Sequence, residues 1–111
     1  MAERALELAR ARQERGHEAY TLRVLGAIAA QRLPAQAEPA IAFYQQALGL
    51  ADELGMRPLL AHCHLGLGTL YGQMDQGARA RHALSTARTL FHAMDMTVWV
   101  PQAEAALASV G

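Results

Sequence analysis

Apolar residues along this chain recur at helical spacing, and no stretch alternates with a period of two. Leu22, Leu25 and Ala29 follow the i, i+3, i+7 order of one helix face, and His64, Leu67 and Tyr71 repeat it. Two further faces are marked by Ile41, Tyr44 and Leu48, and by Ala80, Leu84, Ala87 and Phe91. Punctuation falls between these faces. Gly16, Gly55 and Gly72 are candidate helix ends, because glycine tolerates the left-handed cap conformation. Pro39 and Pro58 suit first turns, where a missing N–H costs little, Pro101 falls in the first turn of the last helix and weakens it, and Asp75 and Thr97 can serve as N-caps. The pattern predicts six helices, over about 2–15, 17–32, 38–54, 57–72, 76–93 and 97–109. Val and Ile are scarce, which argues against a sheet.

The helices are not independent of one another. Leu25-Gly26-Ala27-Ile28 returns as Leu67-Gly68-Thr69-Leu70, 42 residues later. Ala47-Leu48-Gly49-Leu50 returns as Ala87-Arg88-Thr89-Leu90 after 40, and Gly55-Met56 as Asp95-Met96 at the same shift. The difference lies in a longer loop in the first copy, from Arg32 to Glu38 and including Pro34. At the flanks, Leu8-Ala9 aligns with Leu50-Ala51 and Trp99 with Leu59, so a half-repeat is expected at each end. Internal periods of this length are the signature of stacked helical repeats. The expected organisation is a single domain, 1–111, made of a half-repeat 1–16, repeats 17–56 and 57–96, and a half-repeat 97–111.

Small residues indicate how such units would pack. Gly26 and Gly68 stand in mid-helix, where glycine costs about 1 kcal/mol relative to alanine. Close approach of a neighbouring helix is the simplest compensation. Ala40, Ala47, Ala80 and Ala87 supply further small surfaces, and Tyr44, Leu48, Leu84 and Phe91 the bulk to set against them.

Leu67-Gly68, Tyr71, Ala80, Leu84 and Ala87 stand in the order of the tetratricopeptide repeat, which the chain resembles. The first copy carries Leu22, Leu25-Gly26, Ala40, Tyr44 and Ala47, but has Ala29 where that family commonly has a large aromatic residue, and His64 stands at its Trp or Leu position. The run from Glu53 to Gly68 is also similar to the C-terminal repeat region of bacterial signalling regulators of the ATPase/cyclase or LuxR type. No ATPase, cyclase or helix-turn-helix signature accompanies it. The resemblance implies an all-α fold, a short right-handed α-solenoid of antiparallel helix pairs, and a concave groove lined by the first helix of each pair. The groove positions it implies are Tyr20, Arg23 and Ala27, then His62, Leu65 and Thr69, then Gln102 with Ala105 beside it.

Composition and charge narrow the partners. The chain is 52% apolar and carries no net charge, so a nucleic-acid or membrane-surface partner, which needs sustained excess cation, is not expected. One cysteine, Cys63, cannot form an internal disulfide and fits a reducing cytoplasm. No signal peptide or transmembrane run is read from the sequence.

Candidate chemistry is sparse. His62-Cys63-His64 invites a metal reading, yet adjacent residues on a helix leave it about 100° apart and cannot converge on one ion. Cys63 reads as a small core residue without a base beside it. Gly66, Gly68 and Gly72 lie along a helix rather than in a phosphate-binding turn. Arg79, Arg81, His82 and Arg88 make one helix basic, as a solvated face would be. The expectation is therefore a non-enzymatic scaffold without cofactor or metal, holding a peptide or helix of a partner protein in its groove. The alternative is a module that self-associates through its open ends into a homo-oligomer.

Overall fold

The structure, a computed structural model, describes residues 2–32 and 36–110, with side-chain surroundings from Ala11 onward. Among them are five α-helices: α1 (Ala2–Ala30), α2 (Ala37–Leu54), α3 (Arg57–Gln73), α4 (Gly77–Ala93) and α5 (Val100–Val110). They pack mostly as sequential antiparallel pairs, each on the next, and α3 also touches both α1 and α5. The Pro34 turn expected in the first loop lies outside the described residues.

Three helix ends share one construction. Gly55, Asp75 and Asp95 take left-handed backbone conformations, with φ of 71°, 59° and 56°. Directly after them, the N–H groups of Met56, Gln76 and Met96 donate back to the carbonyls of Ala51, Tyr71 and Phe91 at 2.8, 2.9 and 2.8 Å. This is the bonding of a Schellman stop, and it occurs every twenty residues. Asp is among the few residues with a side chain that tolerate this conformation.

That construction corrects several expectations. Asp75 ends α3 instead of capping α4, whose N-cap is Gln76 and has no side-chain cap bond. Thr97 lies in the turn ahead of α5, which starts only at Val100. Gly72 is inside α3. Pro39 and Pro58 stand where expected, each within the first three residues of a helix, whereas Pro101 is only the second residue of α5, where it costs little instead of weakening the helix.

The largest correction is the number of helices, five where six are predicted. The expected half-repeat 1–16 and the helix after it are one rod of 29 residues, about 43 Å long. The position 42 residues before Gly55 is Gln13, a good helix former with little tolerance for positive φ, so nothing stops the helix there. Gly16 weakens the rod without breaking it.

The core runs along the stack in three linked groups. Ala19 meets Ala47, Ala51, Leu59 and Cys63; Tyr44, Leu67, Leu70 and Leu84 form the middle; Ala61, Ala87 and Phe91 close the far end against Trp99. Gly26 and Gly68 act as the sequence suggests. A Cβ at Gly26 would lie 3.0 Å from the Tyr44 ring, and one at Gly68 would lie 2.5 Å from the Leu84 side chain. Gly66 belongs to the same device, since a Cβ there would meet Tyr44 at 2.5 Å. On α1, however, the buried line is Ala19, Gly26 and Ala29 with Leu22 half-buried, and Leu25 is exposed, so the packing face is turned from the one the periodicity predicts.

Candidate functional site

The first-helix positions of the repeat, read onto the fold, lie on α1, α3 and α5, and α3 is the element that touches both others. Their surroundings differ. Tyr20 is exposed and lines a cleft with Arg12, Gly16, Leu54 and Met56, where α1 passes the α2–α3 turn. Arg23, one helical turn further, is half-buried and close enough to His62 for its charge to act on that ring. Ala27 packs partly against the central core, and Leu65 bridges the central and far groups. Thr69 is exposed, and its hydroxyl donates to the Leu65 carbonyl at 2.9 Å, leaving its oxygen free to accept. It borders a shallow pocket shared with Ala106, Ser109 and Val110 of α5. Gln102 and Ala105 are exposed on α5.

His62 is more a packing residue than the groove assignment implies. Its ring stands edge-on to Trp99, with centroids 4.3 Å apart at 89°, and edge-on to Phe91 at 5.1 Å. Phe91 and Trp99 stack at 6.0 Å. This three-ring cluster joins α3, α4 and the turn before α5. The sequence signal for it is the single Trp eight residues after Phe91, a spacing that brings two rings together only because the intervening turn reverses the chain.

The neighbouring histidine serves another groove. His64 is half-buried beside Leu48, Tyr71, Arg79 and His82, between α2 and α4, and the Arg79 guanidinium lies 5.9 Å from the Tyr71 ring centre. Burial holds the His62 imidazole below its ordinary value, and the Arg23 charge adds to the effect. Burial likewise lowers His64, reinforced by His82 and opposed by Asp52. Both rings are thus held neutral in the fold, and the unfolded chain binds protons more readily. Their contribution to stability is complete above the ordinary value of 6.5 and is lost as the pH falls through their depressed folded values. The urea midpoint is expected to fall on acidification below pH 6.5, and a His62→Phe/His64→Leu variant is expected to show a shallower fall over the same range.

Cys63 between them is fully buried, and burial pushes its thiol up to about 11, so the thiolate needed for nucleophilic chemistry is suppressed. Among the described residues, no three His, Cys, Asp or Glu side chains gather as metal ligands. No helix among them is long and apolar enough to cross a membrane. Arg15 and Glu53 pair at 2.7 Å across α1 and α2, both exposed, a tie that contributes little to stability.

Compared with protein-family models, curated proteins and solved structures, the chain matches none of them.

Proposed function

We propose that the chain is a short right-handed α-solenoid of the tetratricopeptide kind, and that it holds an extended peptide or a helix of a partner protein along α1, α3 and α5. The observation that supports this reading is that the Arg23 charge on α1 reaches the His62 ring on α3, two positions that the repeat assigns to one surface. Beside them Tyr20, Thr69 and Gln102 remain exposed. Tyr and Arg are the residue types that carry binding energy at such surfaces, each offering wide contact and a polar handle. Among the described residues no carboxylate forms an ion pair with Arg23, so an acidic residue of the peptide is the natural complement. The resemblance to bacterial signalling regulators makes a regulatory partner the first to consider.

Peptides selected on the immobilised chain from a random display library test this. Acidic sequences are expected, and a Tyr20→Ala/Arg23→Ala variant is expected to bind them at least about tenfold more weakly, the loss of one interface anchor. His62 is left intact, because its ring packs against Phe91 and Trp99 and its removal would mix folding with binding. Equal binding by the variant removes the groove assignment. The alternative is self-association through the open ends of the helix array.

A further inference from the structure

The face of α3 turned away from the candidate groove borders a second cavity. His64, Leu67 and Tyr71 each follow a groove position, His62, Leu65 and Thr69, by two residues, which is about 200° further round the helix. On that side α2 and α4 leave a gap of about 420 Å³, within the size range of small-molecule pockets. Leu48 of α2 and Leu67 and Tyr71 of α3 line it with apolar surface, and His64, Arg79 and His82 supply its polar groups. The Arg79 guanidinium lies over the Tyr71 ring, 5.9 Å from its centre, and its Nη1 donates to Gln76 Oε1 at 3.3 Å. His82 is near enough to act on the His64 ring through its charge. Among the described residues Arg79 forms no ion pair, and no carboxylate lines the gap.

The repeat does not require these polar residues. Its packing positions recur, with Gly26 and Gly68, Ala40 and Ala80, and Ala47 and Ala87 in equivalent places. The shifts of 42 and 40 residues carry His64, Arg79 and His82 onto Leu22, Pro39 and Ala42, none of which bears a charge. A helix pair of this kind is therefore built without a basic cluster in the first copy. A cluster kept only for contact with water would also extend away from the protein. Here Arg79 turns back over Tyr71, and His64 is half-buried between the helices.

We infer that this gap binds a small acid with an apolar body, its carboxylate held by Arg79, His82 and His64 and its body laid on Leu48, Leu67 and Tyr71. A guanidinium offers a carboxylate a fork of N–H donors, and charge-assisted bonds of this kind are about twice as strong as neutral ones. The apolar floor adds burial that a bare inorganic anion cannot use. The volume equals about one turn of a helix with its side chains, so a small molecule fills the gap and a partner helix does not. A bound anion also favours the charged form of His64, which burial and His82 keep neutral and which Asp52 of α2 opposes. Binding of the acid therefore tightens as the pH falls. The inference is independent of peptide binding on the other side of α3.

Calorimetric titration of the chain with phenylbutyrate, with its uncharged amide and with inorganic phosphate tests this. The acid is expected to bind with a dissociation constant of about 1 mM or tighter, as a ligand of its size can. The amide, which lacks the charge, and phosphate, which lacks the apolar body, are each expected to bind at least about tenfold more weakly. An Arg79→Gln/His82→Gln variant, altered only at exposed positions, is expected to lose at least about tenfold in affinity for the acid with unchanged helical circular dichroism. Affinity of the natural chain is expected to rise between about pH 7.5 and about pH 6, and a His64→Gln variant to show a smaller rise. No binding of the acid, equal binding of the amide or of phosphate, full affinity in the double variant, or affinity that does not change with pH would each overturn the proposal.

Discussion

Phe91→Ala is expected to remove about 3–5 kcal/mol of stability, the usual cost of truncating a fully buried aromatic ring. Phe91 is completely buried, is among the largest fully buried side chains of the structure, and supports both His62 and Trp99. Its loss would leave a cavity at the point where α3, α4 and the turn before α5 meet, so those rings would lose a shared neighbour together. The total stability of a domain this size is on the order of 5–15 kcal/mol, so the change removes a large share of it. Urea unfolding followed by circular dichroism would measure the loss, and Trp99 provides a second signal. Its fluorescence should shift with the same midpoint if α5 unfolds with the rest. Phe91→Leu, which keeps a branched apolar side chain in place, is expected to cost a minor part of this. An equal midpoint for Phe91→Ala and the natural chain would show that the far end of the core does not pack as described.

Gly68→Ala is the second large effect, and its direction opposes helix propensity. Alanine in a helix interior gains about 1 kcal/mol over glycine. At Gly68, however, the new methyl would lie 2.5 Å from Cγ of Leu84 and 3.1 Å from the Leu84 backbone nitrogen. Leu84 is fully buried and cannot swing aside, so the helices must separate, at a net cost of about 1–3 kcal/mol. Gly49 is the control. Nothing lies within 4 Å of a Cβ there, so Gly49→Ala should stabilise by up to about 1 kcal/mol. Paired thermal or urea melts of the two variants would separate packing from propensity, since only packing predicts opposite signs. Combining Gly68→Ala with Leu84→Ala should cost less than the two single changes added together, because the cavity left by one accepts the methyl of the other.

Much of the fold is legible in the sequence, for reasons particular residues make clear. The spacing of Tyr44, Ala47 and Ala51, and of Ala80, Leu84, Ala87 and Phe91, marks the buried faces of α2 and α4, because each of those helices is amphipathic in its own right. Gly26 and Gly68 are recognisable as contact points because glycine in mid-helix has a cost that only a close neighbour explains. Legibility fails on α1. Its periodicity selects Leu25 for the core, yet the helix buries Ala19, Gly26 and Ala29. The apolar stripe is wider than α2 and α3 together cover, and periodicity alone does not tell which part of a wide stripe is covered. The candidate groove behaves similarly. Spacing places His62 and Thr69 on a first helix, but His62 becomes a packing ring because Trp99 is brought to it by a turn the sequence does not locate.

By itself, then, the sequence determines an all-helical chain with an internal period of 42 and 40 residues, because side-chain periodicity and glycine placement are local properties of each segment. The tertiary structure decides three further matters: that residues 2–30 form one helix, that Val24, Leu25 and Ile28 stay uncovered, and that the Arg23 charge comes within range of the His62 ring. The first turns on whether a helix stops at Gln13, where the helix and turn alternatives differ by only about 1 kcal/mol of local preference. Differences that small are settled by what the segment packs against, and packing partners belong to the whole fold.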